Sequence, residues 1–176
     1  MSVTMPTLRF PAESEDQETL LNAALTEKSF LSPVNRKWVA WAAAVACRDS
    51  SVVALVSARL GVLAENEQRE LLFAVSRMSV TNPYFVSRGL VDLAAGGTLD
   101  ALSLRPFADI KVANEIAYHH ACVAVSMVNA GHACFRSHCS SLKQLGETNQ
   151  AIDQTLRITA ALMAARQVAF NQTIFS

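Results

Sequence analysis

A short window in the last third of the chain carries most of the residues that can do acid–base or thiol chemistry. Residues 115–139 hold all four histidines and three of the four cysteines, Cys122, Cys134 and Cys139. Thiolates are nucleophiles, and imidazoles exchange protons near neutral pH. The window therefore indicates a site for thiol or acid–base chemistry.

Cys134 and His138 are the strongest candidates in this window. Gly131 predicts a helix start just after it, which places Cys134 in the first turn. There, free N–H groups and the positive end of the helix dipole stabilise a thiolate. His138 lies one turn later on the same face and can act as its general base. The alternative is a buried cysteine that packs as a small apolar side chain beside a locally bonded histidine.

A second histidine extends the possible proton path. His119 lies on the preceding predicted helix, and Glu115 is one turn before it on the same face. Glu115, His119 and His138 therefore form a candidate proton relay. A polar patch that satisfies its own hydrogen bonds between two helices is the alternative interpretation.

The window also offers metal ligands, but we predict neither a metal nor another cofactor. Four of its residues have the types that bind zinc: His132, Cys134, His138 and Cys139. Their spacing matches no established ligand pattern, and Cys139 falls on a different helical face from Cys134. A single metal ion held by Glu115, His119 and His138 is a similarly weak alternative.

Composition limits the class of protein. The chain has 176 residues, 51% of them hydrophobic, which is too apolar for disorder, and 15 basic residues balance 15 acidic ones. A nucleic-acid-binding protein would normally have a basic surplus, so none is expected as a partner. The first 17 residues lack the apolar core of an export signal, and residues 116–135, although free of charged side chains other than histidine, contain too many polar groups for a membrane span. We expect a cytoplasmic protein whose cysteines are free thiols.

The elements that position the window are predicted to be helices. Six glycines and five prolines are few for a protein rich in tight turns, and no segment shows the period-two pattern of a strand. Apolar spacing predicts an all-α bundle, with helices at about 16–26, 37–47, 52–60, 65–78, 84–94, 112–129, 132–145 and 149–170. Asn82-Pro83 is interpreted as a helix start, with Asn as cap and Pro in the first turn.

Several segments resemble the alkylhydroperoxidase-D-like family of the carboxymuconolactone decarboxylase-like superfamily. The main one is Val125-Ser-Met-Val-Asn-Ala-Gly-His-Ala-Cys134-Phe-Arg-Ser-His138, followed by Leu145-Gly146 and the last helix. Upstream, Asn82-Pro-Tyr-Phe…Arg88-Gly89 is similar to an Asn-aromatic-Arg helix of longer members. The resemblance implies a single helical domain at 31–176, with halves at 31–106 and 107–176, preceded by an arm and short helix at 1–30.

The resemblance also implies an activity. The family motif is Glu, eleven residues, Cys, two residues, Cys, three residues, His. It implies that Cys134 meets the peroxide, assisted by His138, in an antioxidant oxidoreductase that reduces organic hydroperoxides or recycles a peroxiredoxin partner, often as a homotrimer. This chain departs from the motif twice, with Gly131 at the first Cys and His119 at the Glu.

Without a cysteine at 131, the usual partner that resolves the oxidised thiol is missing. In a continuous helix the Cα atoms of Cys134 and Cys139 would lie about 8–9 Å apart, beyond the roughly 7 Å limit for a disulfide. Cys122, a small thiol or a partner protein remain as candidates. His119 can still move protons in place of the Glu.

Two other functions stay open. The chain could be a family member that has lost the dithiol reaction and serves as a binding or scaffold subunit. It could also be an enzyme that performs acid–base chemistry on a small lactone or acid, with His119 and His138 but without Cys134.

Overall fold

The computed structural model describes residues 8–28 and 30–175, and every regular element in those ranges is helical. The predicted all-α fold is confirmed. The seven α-helices are α1 (Glu15–Thr26), α2 (Pro33–Cys47), α3 (Ser50–Leu60), α4 (Glu65–Arg88), α5 (Glu115–Val128), α6 (His132–Gln144) and α7 (Asn149–Phe175). The first seven residues of the predicted N-terminal arm lie outside the described ranges.

Helices α2 and α5 form the centre of the bundle. They pack against each other, α7 runs along both, and α4 and α6 lie on the remaining sides of α5. Alanine and valine dominate the two central helices, and most of their residues are buried. Small side chains let the helix backbones approach closely, so α5 can be enclosed on several sides. Within the described residues, no helix is both long and apolar enough to cross a membrane.

Side-chain caps set where the early helices begin. Ser32 accepts a hydrogen bond from the Asn35 amide, so α2 begins at Pro33, four residues before the predicted start. Proline suits this first position because its missing N–H would be unpaired there anyway. Asp49 accepts hydrogen bonds from the amides of Ser51 and Val52, so α3 begins at Ser50, two residues before the predicted start.

The predicted break at Asn82-Pro83 is wrong, because α4 runs without interruption from Glu65 to Arg88. Asn82 is fully buried, and its Oδ1 accepts a hydrogen bond from Ser126 on α5 at 3.1 Å instead of capping a helix. Pro83 only removes one backbone hydrogen bond from the ladder. Packing of α4 against α5 therefore outweighs the local stop signal.

The segment between α4 and α5 folds back over α4. The hydroxyl of Tyr84 accepts a hydrogen bond from the Gly97 amide at 2.8 Å, and the Arg88 guanidinium donates to the Leu93 carbonyl at 2.8 Å. Within this segment, Phe107–Ile110 forms one turn of 3-10 helix. These contacts hold Leu99 and Phe107 against the side of the bundle where α4, α5 and α6 meet.

A tight turn links α5 to α6. The Gly131 amide donates to the Ser126 carbonyl and the Ala130 amide to the Met127 carbonyl, which is a Schellman motif. Ala130 takes the left-handed conformation at φ 54°, a position usually occupied by glycine. The turn sends α6 back across α5, so the start of α6 faces α4.

Candidate active site

A cavity of about 530 Å³ lies between α4, α5, α6 and the segment that follows α4. Cys134, His138 and His119, the three site residues singled out in the sequence, all line it, and so does Glu115. Two faces come from α5 and α6, and Arg77, Met78, Thr81 and Phe85 of α4 close another side. The structure thus brings these four residues of the window together around one space.

Cys134 is the third residue of α6, and only 7% of it is exposed. One side of it packs in the main apolar core, and the other faces the cavity. The N-cap of α6 is Gly131, which has no side chain to satisfy the first amides. Those N–H groups and the dipole of α6 favour negative charge close to the Cys134 sulfur.

His119 and His138 form a hydrogen-bonded pair at the cavity wall. Their Nδ1 atoms are 2.8 Å apart, and their ring centroids are 5.1 Å apart. The rings of Phe107 and Tyr118 lie within 6 Å of the His119 ring, measured between centroids. This aromatic enclosure keeps water from one side of the pair.

Glu115 fixes the tautomers of both rings. Its Oε1 lies 3.5 Å from Nε2 of His119, so we assign the proton of neutral His119 to Nε2. The Nδ1 of His119 must then accept, and Nδ1–H of His138 donates to it. This assignment leaves Nε2 of His138 without a proton, as a base at the end of a Glu–His–His chain.

Both histidines are neutral at physiological pH. Burial, with smaller contributions from the nearby His119 and Arg77, lowers the pKa of His138 to about 3. Burial also lowers the pKa of His119, against the opposing influence of Glu115. A neutral His138 can accept a proton, and the Glu115 carboxylate would stabilise the resulting cation through His119.

The position of the missing family cysteine is sterically closed. A Cβ built on Gly131 would overlap Cγ and Oδ1 of the Asn82 side chain. Gly131 has φ −81°, which other residues adopt freely, so the obstacle is the Asn82 side chain and not the backbone. Any side chain at 131 would displace Asn82 from its contact with Ser126.

The other cysteines lie away from the cavity lining, and all four are free thiols. Cys139 is on the same unbroken helix as Cys134 but packs in a second apolar cluster with Val123, Leu142 and Ile152. Cys122 is fully buried in α5, and burial raises its pKa well above the ordinary value. Burial also raises the pKa of Cys47.

Two cavity residues were not found by sequence reasoning. Arg77 lies on the same α4 face as the buried Leu71, Ala74 and Met78. A charged residue on an apolar stripe was the signal that could have revealed it. Tyr118 is also almost completely buried, and its hydroxyl has no hydrogen-bond partner among the described residues.

The described residues contain no group of three or more His, Cys, Asp or Glu side chains arranged to hold a metal ion. The zinc-type residues of the window also diverge in space. Cys134 faces the cavity, whereas Cys139 packs against the far cluster and His132 is exposed.

Comparison with known proteins gives relatives along nearly the full chain. The chain is 32% identical over 174 residues to the alkyl hydroperoxide reductase AhpD of two Caulobacter vibrioides strains, covering 96% of this chain and 93% of theirs. It is 31% identical over 157 residues to the protein of that name from Anaeromyxobacter sp., covering 88% of this chain and 83% of the relative. No family model matches the chain.

Proposed function

This chain belongs to the alkyl hydroperoxide reductase AhpD family, and on that basis we propose that it reduces organic hydroperoxides through the Cys134 thiol. The family assignment predicted from the sequence is confirmed. One observation carries the proposal for the site: Cys134 lines the same cavity as Glu115 and the hydrogen-bonded His119–His138 pair. In the tautomers assigned above, Nε2 of His138 is free to accept a proton.

The first step consumes the peroxide. His138 accepts the proton of the Cys134 thiol, and the thiolate attacks one oxygen of the hydroperoxide. The O–O bond breaks, and the proton held by His138 passes to the departing alkoxide, which leaves as an alcohol. Cys134 is oxidised to a sulfenic acid as the peroxide is reduced. His119 and Glu115 stabilise the transient imidazolium during this transfer.

For the second step we propose a thiol from outside the chain, because Cys122 is fully buried and burial raises its pKa. Asn82 fills the place where the family has its first cysteine, and Cys139 packs in a separate cluster. An external thiol attacks the Cys134 sulfenic acid, releasing water and forming a mixed disulfide. A second thiol then releases reduced Cys134 and a disulfide product. We propose a small thiol or the cysteine of a protein partner in this role, in the reducing cytoplasm.

A peroxide-consumption assay with several thiol donors tests this function. We expect wild type to turn over an organic hydroperoxide, and Cys134→Ser to be inactive. The matched control is Cys139→Ser, which should retain full activity because that residue takes no part. Mass spectrometry after one equivalent of peroxide should find the mixed disulfide at Cys134. Activity that survives in Cys134→Ser would refute the proposal.

A second candidate is acid–base chemistry on a small lactone or acid. The hydrogen-bonded His119–His138 pair favours it, because proton transfer through this pair does not require the thiol. For this function, His138→Ala should abolish turnover while Cys134→Ser retains it. The two variants therefore give opposite patterns for the two candidates.

A further inference from the structure

Arg77 is a buried cation on the wall of the cavity. It is 8% exposed, and its Nη1 donates to the Arg105 carbonyl at 2.8 Å. All ion pairs of the described residues involve other groups, so no carboxylate among them lies within 4 Å of Arg77. A charge removed from water without an opposite charge is costly, which indicates that Arg77 is kept for a ligand.

The two nearest acidic candidates on these helices do not neutralise Arg77. Glu70 is on the same helix two turns earlier, about 10 Å along the axis, and its Oε2 accepts a hydrogen bond from the Ala113 amide at 3.2 Å. Glu115 is engaged with His119. The charge of Arg77 is therefore left for what enters the cavity.

Part of the cavity lining is apolar. Met78 and Phe85 come from α4, and Leu99 and Phe107 from the segment that covers it. A cavity of about 530 Å³ is within the usual size range for small-molecule sites. A ligand that uses both Arg77 and these apolar side chains would have an apolar part and one negative group.

We propose that Arg77 binds the carboxylate of an amphipathic organic acid whose apolar chain lies on Met78, Phe85 and Phe107. A planar guanidinium matches a carboxylate in shape and can donate two parallel hydrogen bonds. The proposal rests on the proposed function in one respect: it makes the preferred substrate a hydroperoxide that carries a carboxylate. The binding subsite itself does not depend on the sulfur chemistry.

A carboxylate bound in this subsite would also change the basicity of His138. The positive charge of Arg77 is one of the causes that lower the pKa of His138. A bound carboxylate offsets that charge, so His138 becomes a stronger base when an acidic substrate is in place. The free enzyme would then keep its thiol less reactive than the complex does.

Binding of unreactive probes tests the subsite directly. Octanoate and octan-1-ol have the same chain length and differ in the charged head. Calorimetric titration of the wild-type protein should show octanoate binding about 10- to 100-fold tighter than the alcohol, as expected for a charge-assisted hydrogen bond. Equal affinities would overturn the proposal.

Two variants assign the preference to Arg77. Arg77→Gln should lose the preference for octanoate, and the matched control Arg69→Gln, an exposed arginine on the same helix, should keep it. A preference that persists in Arg77→Gln contradicts the subsite. If Arg77→Gln does not fold, Arg77→Lys decides: the lost planar fork should weaken octanoate several-fold and leave octan-1-ol unchanged, and unchanged octanoate binding refutes the subsite.

The result is separable from the peroxidase proposal. Cys134→Ser should bind octanoate as wild type does, because the probe contains no peroxide. Octanoate binding without peroxide turnover would refute the peroxidase and leave the subsite. Turnover without any preference for a carboxylate would refute the subsite and leave the peroxidase.

Discussion

At the scale of single residues, the site depends on the nitrogen of His138 that faces away from His119. In the assigned tautomers, Glu115 keeps the proton of neutral His119 on Nε2, so Nδ1 of His119 accepts the proton of His138. Nε2 of His138 is then free to accept a proton. The arrangement resembles the logic of a hydrolase triad, in which a buried acid orients and stabilises an imidazole. Here two imidazoles transmit the influence of the acid.

Glu115→Gln should slow the oxidation of Cys134 without unfolding the protein. Glutamine can still accept the His119 hydrogen bond, but it has no charge to stabilise the imidazolium. We expect a rate about tenfold lower, equivalent to about 1.4 kcal/mol. Stopped-flow measurement of thiol loss with excess peroxide gives the rate. Glu65→Gln, on the exposed first turn of α4, is the control, and an equal loss there would contradict the relay.

The low pKa of His138 makes the stability of the fold dependent on pH. Above about pH 6.5 this imidazole is neutral in both states and contributes no pH dependence. Below it, the unfolded chain binds a proton that the folded chain refuses until about pH 3. The free energy of unfolding should therefore fall on acidification, by about 1.4 kcal/mol per pH unit from this residue.

Urea unfolding at pH 7, 6 and 5 measures that dependence. His138→Gln removes the titrating group. Its free energy of unfolding should therefore depend less steeply on pH than that of wild type, by about the 1.4 kcal/mol per pH unit that one proton contributes. Comparing the two proteins cancels the contributions of other buried groups. Parallel slopes would show that His138 is protonated in the folded protein.

Gly131→Ala should be destabilising for a steric reason. Its Cβ would overlap Asn82, and forcing extra atoms into a packed site costs about 1–3 kcal/mol. Adding Asn82→Ala should recover part of this loss, which a double-mutant cycle with urea unfolding would detect. Gly89→Ala is the control, because its Cβ would come no closer than 3.4 Å to another atom. Additive effects at 131 and 82 would contradict the overlap.

At the scale of elements, the α5–α6 turn stores a small strain that places Cys134. Ala130 occupies a left-handed position where a Cβ is unfavourable by roughly 1–2 kcal/mol. Ala130→Gly should therefore raise the free energy of unfolding by about 0.5–1 kcal/mol, after the greater chain entropy of glycine is counted. Ala133→Gly, in the first turn of α6, should lower it. Thermal unfolding of both variants gives the comparison.

Sequence reasoning succeeded best where helices have strong local signals. The start of α3 at Asp49 and the approximate limits of α1, α5 and α6 follow from caps, glycines and apolar spacing. It failed at Asn82-Pro83, because burial against Ser126 is a contact between helices that no local pattern contains. For the same reason the closed position at Gly131 became visible only in three dimensions.

At the scale of the whole molecule, composition alone was sufficient for the all-α class. Few turn residues and no alternating pattern leave helices as the way to bury so many alanines and valines. The clustering of histidines and cysteines between 115 and 139 predicted a shared site. Cys134, His119 and His138 line one cavity, and their roles stay a prediction. The division into an arm and a domain stays a prediction.

The exposed apolar end of α7 supports the expectation of a homotrimer or higher oligomer. Phe170, Ile174 and Phe175 are 56%, 57% and 85% exposed. Apolar side chains exposed close together, unlike single ones, are typical of protein–protein contacts. We expect light scattering to give a mass of at least three chains, and Phe170→Asp with Phe175→Ser to reduce it. A wild-type mass near the 19.0 kDa of one chain would contradict this.

The fit between Gly131 and Asn82 also constrains how this protein could change over generations. A single substitution cannot restore a cysteine pair, because the new side chain would arrive before there is room for it. Asn82 would first have to be replaced by a smaller residue, and that substitution alone brings no catalytic gain. Under the proposed mechanism, the lineage is thus held to a single reactive thiol by a neighbour that does not line the cavity.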